Sequence, residues 1–215
     1  MGRLKFEISM SLDGFIAGPN ATTEEPLGEG GELLHEWVYN LSTWREAHGM
    51  SGGEKNVDAE LLGENLESTG AVIMGRRMFS GGEGPWGDEP FEGWWGDEPP
   101  FHMPVFVLTH HARETLTKGE TSFTFVTDGI ESALDQARAA AGDKDVAIDG
   151  GAQVAQQYVR AGLLDEMQIH VVPLLLGDGV RLFESHLDGG HTALEATRVV
   201  ESPSGVSHLS YRFAR

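Results

Sequence analysis

The chain has 215 residues, with 15 Lys or Arg against 34 Asp or Glu, so its formal net charge is −19 with neutral histidines. A surface this acidic repels phosphates and anionic lipids, which argues against binding to nucleic acid or to a membrane surface. The absence of cysteine excludes disulfides, thiolate metal sites and thiol nucleophiles. The length and a hydrophobic content of 40% predict a single folded domain over residues 1–215.

No targeting signal is recognisable in the sequence. Residues 1–8 lack the apolar segment of a secretory signal, and the most apolar stretch, residues 169–176, is far shorter than the roughly 20 residues that cross a bilayer. We therefore expect a cytoplasmic protein, in which the glycosylation sequons at Asn20 and Asn40 are chance matches.

Short apolar runs alternate with helical segments, a pattern typical of an α/β sheet covered by helices on both faces. Six runs are predicted to be buried strands: residues 4–9, 71–74, 105–108, 123–126, 146–148 and 167–172. Turn-forming residues at 202–205 separate the runs 193–201 and 206–213, which predicts an antiparallel hairpin at the C-terminus.

Four helices are predicted from apolar side chains at three- and four-residue spacing, over residues 32–47, 58–66, 130–141 and 152–161. Asp58 is the predicted N-cap of the second helix, and Asp128 is that of the third. Gly142 and Gly162 are predicted to end the third and fourth helices, because glycine readily adopts the left-handed conformation found there.

Two connections are unusually long, residues 12–31 and 80–104, and long loops often carry functional sites. The second contains the motif WGDEP twice, at residues 86–90 and 95–99. We interpret it as a solvated surface loop. The alternative is a lid whose indole rings cover a flat ligand.

Glycine-marked segments follow three of the predicted strands, at the edge where open α/β sheets bind ligands. Gly75 allows close approach of a ligand to the backbone, and the guanidinium groups of Arg76 and Arg77 suit phosphate, although they could equally pair with surface carboxylates. In the second segment, Thr109 and His110 can hydrogen-bond to a phosphate or a ribose.

The third segment, Asp149-Gly150-Gly151-Ala152-Gln153, turns from a strand into the start of a helix. Free N–H groups and the helix dipole make such a turn a cradle for an anion. The two glycines lack the GxGxxG spacing of a dinucleotide fingerprint, so a turn that serves only packing is an equal alternative.

No metal site is expected from the sequence. His110 and His111 are adjacent, so on an extended chain their side chains point to opposite sides, and no third ligand has a suitable spacing.

Taken in order, these segments resemble the dihydrofolate reductase-like superfamily, and more closely its branch related to the reductase domain of riboflavin biosynthesis. The similarity covers nearly the whole chain, in residues 9–18 (SMSLDGFIAG), 71–76 (AVIMGR), 107–109 (VLT), 149–152 (DGGA), 161–179 and 182–183. It implies a three-layer α/β/α fold around a mixed, mostly parallel sheet of eight strands with the C-terminal antiparallel hairpin. It also implies a homodimer, by analogy with the riboflavin-pathway relatives.

The resemblance further implies NADPH as the cofactor, lying across the strand ends. The positions that match the cofactor site of the family are Ser9, Ile16, Ala17, Gly75, Arg76, Arg77, Thr109, His110, Gly150, Gly151, Ala152 and Gln153. Asp13, in the Ser-x-Asp-Gly signature, is the candidate catalytic residue and proton donor. The alternatives are a proton from water and a purely structural role for Asp13 in the turn.

The substrate half matches the superfamily less well. Residues 20–31 depart from the dihydrofolate reductase pattern, and Glu32 or Glu36 is a candidate for its pterin-binding carboxylate, with a solvated helix face as the alternative. We expect an NADPH-dependent reductase that transfers hydride to a small pterin-, pyrimidine- or flavin-related heterocycle. The alternative is a non-catalytic nucleotide- or ligand-binding protein on the same fold.

Overall fold

The computed structural model describes residues 2–80, 82, 84–88, 91–183 and 191–214. The strands found there are β1 Leu4–Ser11, β2 Phe15–Ala17, β3 Thr69–Gly75, β4 Pro104–Leu108, β5 Leu116–Lys118, β6 Thr121–Val126, β7 Asp145–Gly150, β8 Glu166–Val172, β9 Val180–Arg181, β10 Leu194–Glu201 and β11 Ser207–Phe213. A 3₁₀ helix spans Gly31–Leu34, and the α-helices are α1 Glu36–Tyr39, α2 Ser42–Ala47, α3 Val57–Ser68, α4 Arg76–Ser80, α5 Ile130–Ala141 and α6 Ala152–Arg160.

One large sheet organises the molecule, in the order β10-β11-β8-β1-β7-β3-β4-β6-β5. The run from β8 to β6 is parallel, whereas β5 at one edge and the β10–β11 hairpin at the other are antiparallel. The predicted mixed, mostly parallel sheet with its C-terminal hairpin is thus confirmed. It has nine strands where eight were predicted, because the three-residue strand β5 pairs with β6 and is too short to show a pattern of its own.

The main hydrophobic core lies between the sheet and helices α5 and α6. Phe6 and Ile148 on the sheet pack with Leu134 and Tyr158 on the helices, all at most 2% exposed. Each side chain of this size contributes roughly 1.5–3 kcal/mol when it is fully buried. The Tyr158 hydroxyl donates to the carbonyl of Ile130 at 2.7 Å, which ties α6 to the start of α5.

The opposite face of β1 is polar. Glu7 and Ser9 alternate with the core residues along this strand, so they point away from α5 and α6. Asn65 of α3 donates a hydrogen bond to Glu7, and Trp37 of α1 donates one to Ser9. Polar groups therefore lie between the sheet and the segments that cover this face.

The prediction of a continuous helix over residues 32–47 is wrong. The segment forms the 3₁₀ helix and then α1 and α2, with a break at Leu41, which is extended and only 2% exposed. The amide of Ser42 donates to the carbonyl of Glu54 at 2.8 Å. The chain turns here because burying Leu41 and pairing with the segment at Glu54 outweigh continuation of the helix.

Both predicted N-caps are also wrong. The N-cap of α3 is Asn56, whose side chain accepts from the amide of Ala59 at 3.1 Å, while Asp58 lies buried in the first turn. Helix α5 begins after Gly129 with no side-chain cap, and Asp128 accepts instead from the Thr127 hydroxyl.

The predicted glycine stops are confirmed, because Gly142 and Gly162 both have φ of 65° directly after helices α5 and α6. No helix in the described part of the chain combines the length and apolar character needed to cross a membrane.

Candidate functional site

The carboxyl ends of adjacent parallel strands bring the predicted segments together. Met74 is in register with Gly150 across the β3–β7 pair, and Gly75 is in register with Leu108 across the β3–β4 pair. The three glycine-marked segments therefore meet at one edge of the sheet, as the sequence predicted. This is the edge at which open α/β sheets bind ligands.

Gly75 packs against the start of α6. A Cβ added to it would lie 3.0 Å from Cγ2 of Val154, and 3.8 Å from both the carbonyl oxygen of Gly150 and the amide nitrogen of Gly151. The absence of a side chain at Gly75 therefore lets the end of β3 approach the turn between β7 and α6. The Gly150–Gly151 peptide bond in this turn is cis.

The first turn of α6 presents unpaired amides. Hydrogen bonding begins with the amides of Val154 and Ala155, which donate to the carbonyl of Gly151, whereas those of Ala152 and Gln153 donate to no backbone carbonyl in the described chain. A Cβ added to Gly151 would meet nothing within 4 Å. The helix start is therefore open, and its free N–H groups and dipole favour an anion.

Arg76, directly after Gly75, carries a guanidinium whose hydrogen bonding is incomplete. Its Nε donates to the Ser80 hydroxyl at 2.9 Å and its Nη2 to the carbonyl of Gly84 at 3.4 Å, but its Nη1 is buried and has no hydrogen-bond partner among the residues that the structure describes. Burial, together with repulsion from Arg113, lowers the pKa of Arg76. A phosphate would supply the missing acceptor. Arg77, the next residue, is exposed.

Arg113, whose guanidinium ends the segment that follows β4 and begins with Thr109 and His110, belongs to the same site. The guanidinium carbons of Arg76 and Arg113 lie 3.1 and 4.8 Å from the ring centroid of Trp86, whose Nε1 donates to the carbonyl of His111 at 2.9 Å. Arg113 also donates to the carbonyl of Phe91 at 2.6 Å. Two cations and one indole thus form a positively charged surface at the ends of β3 and β4.

The tryptophan-rich loop is partly exposed and partly packed: most of its described glycine and acidic residues are exposed, as in the solvated surface loop that we favoured, whereas its indoles pack inward. Besides Trp86, Trp94 donates its Nε1 to the carbonyl of Met78 at 2.7 Å, and Trp95 packs with its centroid 4.9 Å from that of Phe101. Trp86 and Trp95 pack against a second hydrophobic cluster, which lies on β3, β4, β6 and α4, because burial of an aromatic ring stabilises the folded state. The alternative, a lid over a flat ligand, stays a prediction. Residues 81, 83, 89 and 90 lie outside the described residues.

Thr109 and His110 lie at the rim of this surface. Thr109 is 8% exposed and its hydroxyl accepts from the amide of His111 at 3.2 Å, while His110 is exposed. Within the described ranges, no group of three or more His, Asp and Glu side chains could hold a metal ion.

Three further residues matched to the cofactor site, Ser9, Ile16 and Ala17, lie on β1 and β2. The Ser9 hydroxyl accepts from Nε1 of Trp37 at 3.0 Å and is buried. Ile16 belongs to the main core, and Ala17, at the end of β2, is partly exposed. A ligand at this position therefore meets the backbone of β2 more readily than the Ile16 side chain.

Asp13 ties two loops together. Its Oδ1 accepts from the Ser11 hydroxyl at 2.6 Å and from the amide of Leu176 at 3.0 Å, and its Oδ2 accepts from the amide of Gly177 at 2.8 Å. These bonds, that from Ser11 above all, lower the pKa of Asp13 to about 2. The carboxylate is an acceptor in a structural contact and is poorly suited to donate a proton near pH 7.

Glu7 and Asp149 form a pair of carboxyl groups that the sequence analysis did not select. Phe6 and Ile148 are in register across the β1–β7 pair, so Glu7 and Asp149, the next residue on each strand, share the polar face of the sheet. Burial, together with the charge of Glu7, raises the pKa of Asp149 to about 7. The alternation of side chains along β1 and β7 could have revealed this pair, because it places both carboxyl groups on a sheet face where apolar residues are expected.

The environments of the two carboxyl groups differ. Glu7 accepts from Asn65 at 2.8 Å and contacts Nε2 of His170 at 2.7 Å. Asp149 keeps some accessible surface and has no hydrogen bond within the described protein. A buried carboxyl group whose pKa is raised toward neutrality, as that of Asp149 is, is typical of an acid or base in an active site.

Glu32 and Glu36 are both exposed, and Glu32 accepts from the Tyr39 hydroxyl. This environment agrees with the solvated alternative for these two carboxylates.

A cavity of about 400 Å³ lies far from this edge, where β1 and β8 begin. Glu166 in its wall forms ion pairs with Arg3 at 2.7 Å and Arg212 at 3.5 Å. Because these charges satisfy one another, and no candidate residue lines the cavity, the carboxyl ends of the strands are the better candidate site.

Residues 3–207 match the family model described as the RibD C-terminal domain. A protein from Shewanella sp. PV-4, described as a riboflavin biosynthesis protein, superposes with a TM-score of 0.64 at 22% identity, covering 100% of both chains. A diaminohydroxyphosphoribosylaminopyrimidine deaminase/5-amino-6-(5-phosphoribosylamino)uracil reductase from Thermotoga maritima superposes with a TM-score of 0.58 at 12% identity, covering 99% of this chain and 57% of the other. At such identities the similarity establishes the fold alone.

The riboflavin biosynthesis protein RibD of Corynebacterium ammoniagenes is 40% identical over 52 residues, which are 23% of this chain and 15% of that protein. The chain therefore spans only part of the length of the Corynebacterium ammoniagenes protein and of the Thermotoga maritima protein.

Proposed function

Because the chain belongs to the RibD C-terminal domain family, we propose that it is a reductase that transfers hydride from NADPH to a small pyrimidine- or pterin-related heterocycle. One observation carries the proposal. The Nη1 of Arg76, buried without a hydrogen-bond partner among the described residues, and the free amides at the start of α6 belong to the same edge of the sheet, where Gly75 packs closely against the turn between β7 and α6. These features suit a dinucleotide that carries a phosphate on its ribose.

The residues present fit NADPH. The amides of Ala152 and Gln153 would hold the diphosphate, and Arg76 with Arg113 would hold the 2′-phosphate of the adenosine, near Thr109. The cofactor supplies the hydride when it is bound. The protein contributes the position of donor and acceptor and a site from which water is excluded.

Asp149 is the group we assign as proton donor. Its raised pKa keeps the carboxyl group largely protonated up to about pH 7, and it precedes the glycine turn that would hold the cofactor. A carboxylic acid with a pKa near the working pH can protonate an acceptor nitrogen or oxygen as the hydride arrives. Asp13 serves the architecture of the site instead, through its contact with residues 176 and 177.

A second candidate function is nucleotide or ligand binding without turnover. The observation that favours it is the close stacking of Trp86 on Arg76, which covers one face of the guanidinium. A protein that sequesters its ligand under such a lid needs no proton donor.

Turnover distinguishes the two functions. Purified protein is mixed with NADPH and, separately, dihydrofolate, quinonoid dihydropterin or an aminouracil ribonucleotide, and loss of nicotinamide absorbance is followed. Oxidation that requires one of these acceptors supports the reductase. Saturable NADPH binding with no oxidation by any of them supports the binding function.

The homodimer and the cytoplasmic location stay predictions. Light scattering on the eluting protein distinguishes a dimer from the 23.3-kDa monomer.

A further inference from the structure

Four titratable side chains form a continuous chain between α3 and the candidate site. His208 Nε2 lies 2.8 Å from Asp58 Oδ1, the Nδ1 atoms of His208 and His170 are 2.6 Å apart, and His170 Nε2 lies 2.7 Å from Glu7 Oε1. The ring of Trp37 packs against both imidazoles, with centroids 4.9 and 5.4 Å away. Each member of the chain is within hydrogen-bonding distance of the next.

This chain of four side chains is inaccessible to solvent at Asp58 and accessible to solvent at Glu7. Asp58, His208 and His170 are 0%, 1% and 3% exposed, whereas the side chain of Glu7 is 29% exposed. A proton can therefore enter or leave this chain only at Glu7, on the polar face that it shares with Asp149.

Proton counting shows that the chain holds one proton more than neutral imidazoles supply. Its three contacts need three protons, one in each. Two neutral histidines and two carboxylates carry only two, so one contact would then join a bare nitrogen to a carboxylate or to another bare nitrogen. Such a contact at 2.6–2.8 Å between two acceptors is strongly unfavourable, so the arrangement requires a third proton, which we place between the two Nδ1 atoms.

The buried environment of Asp58, at the solvent-inaccessible end, also indicates a third proton. Oδ2 of Asp58 is buried and has no hydrogen-bond partner. A buried carboxylate with one free oxygen is stabilised by a net positive charge nearby, which the shared proton provides.

We propose that Asp58, His208, His170 and Glu7 form a proton relay that opens beside Asp149 and restores the proton consumed in each hydride transfer. This inference rests on the reductase function proposed above. Asp149 is the catalytic residue in this arrangement, and the two histidines and Asp58 are positioning residues that act through Glu7.

In the reduction of a carbon–nitrogen double bond, the carbon gains hydride and the electron pair of the double bond moves to nitrogen. The nitrogen then takes the proton of the Asp149 carboxyl group. Asp149 is reprotonated from Glu7, which receives the Nε2 proton of His170. His170 takes the shared Nδ1 proton from His208, and water in the cleft later replaces the proton lost by the relay.

The groups that face the relay set the direction of transfer. They are Lys5 on β1, Asp145 and Asp149 on β7, and His35 before α1, in addition to the relay members on α3, β8 and β11. Lys5 pairs with Asp145, and burial lowers the pKa of His35, so neither contributes a free positive charge near pH 7. Burial also lowers the pKa of His208, so its ring holds the shared proton less firmly than an exposed imidazole would.

Nitrogen-15 NMR of the histidine rings across pH 5 to 9 tests the relay directly and needs no substrate. In the unmodified protein, loss of the shared proton should appear in the signals of both imidazoles at the same pH, because the titration of coupled groups belongs to the pair and not to either residue. In Glu7→Gln, the step of His208 should move down by about one pH unit although the two side chains do not touch, because loss of the carboxylate removes its support for the shared proton.

Separate titration of the two rings, or fixed neutral tautomers over the whole range, would overturn the relay, as would an unchanged His208 in Glu7→Gln. His48→Gln is the matched control, since His48 is exposed and stacks on Trp44 away from the chain, and it should leave both signals in place. NADPH binding, measured on the same samples, separates the two proposals. Its absence would contradict the reductase function, while the histidine titration decides the relay independently.

With dihydrofolate as the acceptor, His208→Gln should lower the rate of NADPH oxidation at least tenfold at pH 8 and much less at pH 6, where solvent supplies protons more readily. An equal loss at every pH would indicate a merely structural role and contradict the relay.

Discussion

The guanidinium carbon of Arg76 lies 3.1 Å from the ring centroid of Trp86, and this contact joins the end of β3 to the long loop that carries the tryptophan. Arg113 approaches the same indole, so two like charges lie close together at this ring. The charge left unsatisfied at Nη1 of Arg76 is the feature that most requires a ligand.

Replacing Trp86 should weaken NADPH binding. The stacked indole holds Arg76 in place, and such a cation–π contact is worth roughly 1 kcal/mol, so Trp86→Ala is expected to raise Kd by about five- to tenfold. Energy transfer to the nicotinamide measures the change, with Trp44→Ala as the control because Trp44 stacks on His48 outside the site. Tighter binding in Trp86→Ala would show instead that the indole occupies the place of the ligand.

A methyl group at Gly75 should damage the site and the fold together. It would lie 3.0 Å from Cγ2 of Val154, in a position where β3 and α6 have no room to separate. We expect Gly75→Ala to lower the free energy of unfolding by about 1–3 kcal/mol and to weaken NADPH binding. Gly63→Ala, in the middle of α3 with its nearest neighbour at 3.8 Å, should be neutral or stabilising by up to about 1 kcal/mol. Equal stability of both variants would argue against the close packing at Gly75.

Asp13 should matter for acid stability and not for hydride transfer. Its pKa is about 2 in the folded protein and 3.8 in its ordinary state, so it stabilises the fold above about pH 4 and loses this contribution as the pH falls toward 2. Urea unfolding between pH 5 and 2 should therefore show a shallower loss of stability for Asp13→Asn than for the unmodified protein. If single-turnover hydride transfer fell sharply in this variant at pH 7, Asp13 would return to the mechanism as a donor.

Asp149 has the opposite dependence on pH. Its pKa is raised from 3.8 to about 7, so the folded state binds its proton more tightly than the unfolded state between these values. The stability of the unmodified protein should fall as pH rises from about 4 to 7 and then level off, and Asp149→Asn should remove this part of the slope. The same variant should lose hydride transfer while it keeps NADPH binding. Asp128→Asn, at an exposed position, is the control, and an identical slope in Asp149→Asn and in the unmodified protein would refute the raised pKa.

Much of the fold follows from local patterns in the sequence. The strands at residues 71–74 and 146–148 were recognisable because they are apolar on both faces, and the stop at Gly142 because glycine adopts positive φ there. The convergence of Gly75 with Gly150 followed from the rule that parallel strands end at one edge.

Long-range contacts account for what the sequence did not reveal. The local sequence around Asp58 is typical of an N-cap, but its carboxylate lies within hydrogen-bonding distance of His208, 150 residues away in the chain. Arg113 lies in the polar segment after β4, but its contact with Trp86 depends on how the long loop folds and is not encoded locally. His170 interrupts an apolar run without any sign of its partner, since that partner lies on the next strand of the sheet.

The most direct measurement of the central claim is a titration with NADPH and, separately, with NADH, followed by energy transfer from tryptophan to the nicotinamide. We predict saturable binding of NADPH, weaker binding of NADH, and loss of this preference in Arg76→Ala, because the 2′-phosphate gains a charge-assisted partner only when the guanidinium is present. Arg198→Ala, which removes an exposed arginine paired with Glu64, should behave like the unmodified protein. Equal affinity for both nucleotides, or no saturable binding of either, would contradict the assignment of the strand ends as an NADPH site.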